Sequence, residues 1–184
     1  MSPTWKQLRE FFNPTVVVGL DLSLTSTGVS YNGETYTIQS PYKGVERLSD
    51  IRDRVASAII RSHADIVAIE GYSFASRNSH AHALGELGGV IRLQMYEMRR
   101  PVIEIPPTTR AKFAAGKGNA GKSEVVSAIS ARTGIVWNGA GGDDRCDAWI
   151  LEEMVRTRLG MPKYEWPAVS LSALDNIDWS PIEK

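Results

Sequence analysis

The stretch Val16-Val17-Val18-Gly19-Leu20-Asp21-Leu22, followed after a polar turn by Gly28-Val29-Ser30-Tyr31-Asn32-Gly33 and Thr35-Tyr36-Thr37-Ile38, decides the fold. A continuous apolar run of this length reads as a central strand buried on both faces. Asn32-Gly33 between two β-favouring runs is the strongest short hairpin signal, because a type I′ turn needs positive φ at both central positions. Three antiparallel strands therefore come first. The period then becomes helical: Val45, Leu48, Ile51, Val55 and Ile59 recur on one side, with Arg47, Asp50, Arg54 and Arg61 outside. That helix crosses to a strand at residues 66–69, closed by Glu70. A second helix runs through Leu84, Leu87, Ile91, Met95 and Met98, and Pro101 ends it before a fifth strand at 102–105. A glycine-rich basic loop leads to two more helices, at about 122–132 and 144–159. The result is an α/β protein: a mixed five-stranded sheet, with a three-strand antiparallel meander plus two parallel strands, flanked by helices.

Acids stand where this pattern expects apolar side chains. Asp21 closes the first strand, Glu70 closes the fourth, and Asp144 and Asp147, at i and i+3, share one face of the last helix. Two like charges about 4 Å apart repel by roughly 4 kcal/mol at an effective dielectric of 20, so such a cluster calls for a cation. Hard divalent ions take oxygen ligands, and a pair of them can clamp both oxygens of an in-line displacement at phosphorus. The pattern is that of a metal-dependent phosphodiesterase.

Composition narrows the alternatives. The 184 residues, 42% hydrophobic, suffice for one sizeable core. We expect an appendage at residues 1–13, a nuclease domain at 14–160 and an irregular tail at 161–184, whose Trp166 and Trp179 pack on the body. The one cysteine, Cys146, excludes an intrachain disulfide and a multi-cysteine zinc site. With no apolar run long enough for a membrane span and no signal-peptide layout, a soluble cytoplasmic protein is expected. Net charge is zero, yet Arg99, Arg100, Arg110, Lys112, Lys117 and Lys122 face a single acid, Glu104, across residues 99–122, which suggests a basic strip for phosphates.

Residues 116–123, Gly-Lys-Gly-Asn-Ala-Gly-Lys-Ser, also satisfy the formal P-loop pattern of a nucleotide hydrolase. A P-loop joins a buried strand directly to a helix, whereas Pro106-Pro107-Thr108-Thr109-Arg110 intervenes here. No nucleotide cofactor is expected.

Taken together, Gly19-Leu20-Asp21 with Thr27-Gly28-Val29, Ala68-Ile69-Glu70, Lys112 with residues 116–122, and Asp144-Arg145-Cys146-Asp147-Ala148 resemble the RuvC family of Holliday junction resolvases, in the ribonuclease H-like superfamily. The resemblance runs from about Val16 to Leu159. It implies a homodimeric endonuclease that nicks two strands of a four-way DNA junction with Mg²⁺, two ions per site and Mn²⁺ able to substitute. It also assigns Asp21, Glu70, Asp144 and Asp147 as catalytic metal ligands, and Lys112 and Lys122 as basic residues that contact phosphate or act in catalysis, Lys122 being placed with the catalytic set. Asp143 is left as a helix cap. Arg110, Lys112, Lys117 and Lys122 are expected on DNA phosphates, and Tyr72 and Phe74 either stack on an unpaired base or pack in the core. The stripe Leu84, Leu87, Ile91 and Met95 is equally suited to core or to pairing of two copies. Leu22-Ser23 stand where Pro-Gly is common in the family, and the Lys112 to Lys122 interval is a residue short, which points to a divergent, phage-type member. Cleavage of other branched DNA or of RNA–DNA hybrids stays open. A nonenzymatic junction binder is disfavoured because all four acids are present.

Overall fold

The structure, a computed structural model, describes residues 15–71 and 79–183. The expected appendage at 1–13 and both Tyr72 and Phe74 lie outside the described residues. The sheet has the order β3-β2-β1-β4-β5, built from β1 (Val17–Asp21), β2 (Thr27–Tyr31), β3 (Glu34–Ile38), β4 (Ile66–Glu70) and β5 (Val102–Ile105). The β1–β2 and β2–β3 pairs are antiparallel; β1–β4 and β4–β5 are parallel. Asn32 and Gly33 take φ of 52° and 85°, the left-handed geometry that the hairpin requires.

Side chains alternate across the sheet, so each face has its own core. On one face Val18, Leu20, Val29, Val67 and Ile69 pack against α1 (Gly44–Ser62) and α2 (Ser79–Glu97), through Ile51, Val55 and Ile59 of α1 and Leu87, Ile91 and Met95 of α2. The α2 stripe is thus core: Leu87, Ile91 and Met95 are fully buried and Leu84 packs on them partly buried, while Leu93 and Tyr96 of that helix are exposed.

The opposite face, with Val17, Ala68, Ile103 and Ile105, lies under α3 (Pro107–Ala115), α4 (Lys122–Thr133) and α5 (Gly142–Arg158). Helix α3 corrects the expected basic loop. Pro107 starts it, with φ preset for a helix and no N–H to waste, and Gly116 at φ 80° ends it. The segment after residue 160 packs on the body. It carries a short helix, α6 (Ala168–Leu171), and a 3₁₀ turn (Leu174–Asn176), and it buries Trp166 and Trp179 in the same core. One carboxylate oxygen, Glu153 Oε1 on α5, accepts from the backbone N–H of Lys163 and Tyr164 and from the indole N–H of Trp166, at 2.8, 3.3 and 3.0 Å. The Trp166 ring stacks on Phe113 of α3 at 4.2 Å, and Ser170 Oγ donates to the Phe113 carbonyl at 2.6 Å. Among the described residues, no helix is long and apolar enough to cross a membrane.

Candidate active site

Two glycines let α5 lie backbone-to-backbone on the strands. A Cβ at Gly19 of β1 would overlap the Ala148 carbonyl oxygen, and one at Gly28 of β2 would overlap the Asp144 carbonyl. Because Gly28 is the register partner of Asp21, this close approach sets the start of α5 directly beside the end of β1. Leu20 pairs with Ile69 across the parallel β1–β4 ladder, so Asp21 and Glu70 follow at the same level on the face that α5 covers. The turn that ends β1 is closed by Thr27, which is fully buried. Its Oγ1 accepts from Ser23 N–H at 3.1 Å and donates to the Ser23 carbonyl at 2.7 Å. Farther along α5, Ser30 Oγ of β2 donates to Glu152 Oε2 at 2.5 Å and fixes the helix along its length.

Asp147 is 4% exposed; Asp21, Glu70 and Asp144 are partly buried. Burial first, then the charges of Glu70 and Asp147, hold the Asp21 carboxyl well above the usual carboxylate range. Asp147 is raised to about 6, chiefly by burial and against the pull of Arg110. The acids thus repel one another, and Asp144 adds to the charge felt by Asp21.

A residue assigned to DNA stands among them. Arg110, 8% exposed, donates Nε–H to Glu70 Oε1 at 2.5 Å and Nη1–H to Asp147 Oδ1. Burial opposes its charge, but Glu70, Asp147 and Asp21 together raise its pKa. The residue expected on a phosphate thus stands inside the acidic cluster, paired with two of its carboxylates. Lys112, two positions on, sits about 200° further around α3. Lys122, the first residue of α4, comes closer. Burial works to lower its pKa, yet Asp143, Asp147 and Asp21 outweigh that effect and raise it. Its Nζ is 3.1 Å from Asp143 Oδ2, which corrects the role of Asp143: the N-cap is Gly141, and Asp143 lies inside the first turn as the partner of Lys122. Lys117, exposed, pairs with Glu124 at 2.8 Å. Of the six bases read as one strip, Arg110 is a buried guanidinium among the acids, while Lys117 and Lys122 pair with separate acids, Glu124 and Asp143. Cys146 faces the core, where burial drives its thiol pKa up.

Sequence reasoning missed that Arg110 belongs to this cluster. The helical spacing of Arg110 from Phe113, an apolar residue at i+3, was the available signal that both lie on the inward side of a helix. Residues 116–121 join α3 to α4, helix to helix, which is not the strand-to-helix setting of a P-loop.

The donor set suits a hard divalent cation. It is all carboxylate oxygen, and even with Arg110 and Lys122 nearby, Asp21 and Asp147 are held above the usual carboxylate range. As the side chains stand, no group of three or more acidic, histidine or cysteine residues among those described converges closely enough to hold an ion; Arg110 holds two of the acids.

The family model for the crossover junction endodeoxyribonuclease RuvC matches residues 18–136. A relative of that name from Sorangium cellulosum (strain So ce56) is 34% identical over 86 residues, which cover 46% of this chain and 48% of the relative. The chain spans about half the length of the curated relatives it matches. In structure it is similar to Thermus thermophilus RuvC, with a TM-score of 0.62 and 23% identity over 82% of this chain and 100% of the other. It is equally similar to the T. thermophilus RuvC in complex with a Holliday junction substrate, with a TM-score of 0.62 and 25% identity over 82% and 99% of the two chains. The ribonuclease H-like sheet expected from the sequence is the fold of these relatives, and by the match over 18–136 the chain belongs to the RuvC family.

Proposed function

We propose that this protein is a divalent-metal-dependent endonuclease that resolves four-way DNA junctions by paired nicks. The observation that carries this reading is the acidic cluster itself: Asp21 and Glu70 at the ends of adjacent parallel strands, met by Asp144 and Asp147 on a helix docked through Gly19 and Gly28. Membership of the RuvC family and the junction complex of T. thermophilus RuvC support the substrate.

Asp21, Glu70, Asp144 and Asp147 are the proposed ligands of Mg²⁺, two ions per site, with Mn²⁺ able to substitute. When bound, such ions supply an activated water and a counter-charge for the leaving oxygen. The chain's own residues do the rest. The β1 and β4 termini fix the direction of Asp21 and Glu70, and α5 holds Asp147 in a site from which most water is excluded. Lys122, at the N-terminus of α4 where the helix dipole favours anions, approaches the scissile phosphate, and Asp143 steadies it beforehand. Water attacks phosphorus in line and the 3′ oxygen departs, leaving 5′ phosphate and 3′ hydroxyl ends. Symmetric cutting needs two copies of the chain.

A panel of labelled four-way junction, flap, duplex and RNA–DNA hybrid, each with Mg²⁺ and with EDTA, tests the proposal. Mg²⁺-dependent paired nicks in the junction, without ATP, are expected. Preferential cutting of the hybrid would favour a ribonuclease of the same superfamily, and a strict need for ATP would return the glycine-rich loop to a nucleotide role.

A further inference from the structure

Arg110 is a buried cation reaching two acids on different elements. It sits in the first turn of α3, Glu70 ends β4, and Asp147 is on α5. We propose that Arg110 is a built-in counter-cation that shares Glu70 and Asp147 with the divalent metal, so that metal enters by taking these carboxylates from the guanidinium. The inference rests on the metal-dependent reading above and goes beyond it by naming the group that the metal must displace.

Three features support competition over a passive tie. Arg110 bridges the two acids, from Nε to Glu70 Oε1 and from Nη1 to Asp147 Oδ1, so its guanidinium occupies the space between them where a cation shared by both would sit. The backbone under Arg110 is fixed: the Trp166 ring and the Ser170 hydroxyl both hold Phe113, one turn further along α3. What can move is the side chain, and Arg110 carries three carbons of flexible stem before its charge. Finally, the position is shielded, with the Arg110 side chain 10% exposed and that of Asp147 6% exposed, so the guanidinium faces the acids and not a DNA surface. Without a positive charge there, three carboxylates would face one another in a site poor in water, and the guanidinium keeps the metal-free site together.

Competition between two cations for the same oxygens is reciprocal: whatever the guanidinium costs the metal, the metal costs the guanidinium. The test uses the full chain and Mn²⁺ alone, with free Mn²⁺ followed by electron paramagnetic resonance. Arg110→Met should bind Mn²⁺ about tenfold or more tightly than wild type, with Arg110→Lys in between, while both melt at lower temperature in EDTA and gain more on adding Mn²⁺. A merely structural arginine predicts the reverse, weaker metal binding as the site loosens, and that result would overturn the proposal. Equal affinities in all three proteins would overturn it too while leaving the metal-dependent reading intact. Absence of Mn²⁺ uptake by every form sinks both. Should Arg110→Met fail to fold, the wild type still decides: the Arg110 Nε–H resonance, assigned by triple-resonance NMR, should shift on saturation with Mg²⁺, and an unmoved resonance disproves displacement.

Discussion

The two faces of one sheet are built by different rules. Against α1 and α2 the strands present Val18, Leu20, Val67 and Ile69, and the helices answer with Ile51, Val55, Leu87 and Ile91, so side chains set the spacing. Against α5 the strands present Gly19 and Gly28, and main chain meets main chain. The first arrangement buries apolar area and tolerates repacking. The second sacrifices side-chain area to bring Asp144 and Asp147 within reach of Asp21 and Glu70. A helix held off by ordinary side chains would leave these acids on separate surfaces, so the glycines belong to the chemistry as much as to the fold.

The contrast can be broken most severely at the acids. Asp21→Asn and Glu70→Gln should each reduce junction cleavage by about a hundredfold or more and leave junction binding nearly unchanged, since neither removes a basic contact. Single-turnover cleavage and a gel-shift titration read the two effects, and residual cutting near the wild-type rate would disprove the carboxylate site. At the glycines, Gly19→Val forces a side chain into the Ala148 carbonyl and should cost about 3 kcal/mol in urea unfolding. On the opposite face Ile51→Val, which only trims a packed methyl, should cost about 1 kcal/mol with cleavage unaffected. If the two variants cost the same, the faces do not differ as described.

Lys122→Ala probes the exposed rim of the site. It should slow single-turnover cleavage by about tenfold with little loss of junction affinity; cutting at the wild-type rate under saturating enzyme would remove Lys122 from the reaction. The smallest effect is expected at the margin of the apolar face, where Arg92 of α2 grips Glu104 of β5 through two hydrogen bonds of 2.6 and 2.8 Å. This pair, led by the hydrogen bond from Arg92, lowers the Glu104 pKa below a glutamate's ordinary 4.5. Its contribution is therefore complete above pH 4.5 and is lost as pH falls through the lower folded value. Glu104→Gln should destabilise by at most about 1 kcal/mol at pH 7, and the gap to wild type should close as urea titrations move below pH 4.5.

Local signals carried much of this architecture. The run at 16–22, the Asn32-Gly33 turn and the helical periods of α1 and α2 gave the strand order its plausible form, and acids at strand ends announced the cluster. Other features could not be read this way. Pro106-Pro107 and two threonines look like a loop, yet Pro107 starts a helix and tertiary packing around Phe113 holds it. The partners of Arg110 lie 40 and 37 residues away in sequence, and only the docking of α3 and α5 on the sheet brings them together. Leu87, Ile91 and Met95 could serve a core or a second copy equally well until α1 was seen to cover them.

The three donors gathered on Glu153 bear on how the protein comes into being. Synthesis runs from the N-terminus, and chains begin to fold in that order. The β-meander and the α1–α2 face emerge early, with Asp21 and Glu70 already side by side. Helix α5 follows, and Glu153 receives its partners only once residues 163–166 have left the ribosome; Ser170 then braces Phe113. The acid-bearing helix is thus braced only once the C-terminal segment has emerged, so a nascent chain still on the ribosome holds the sheet before it holds the finished cluster of acids.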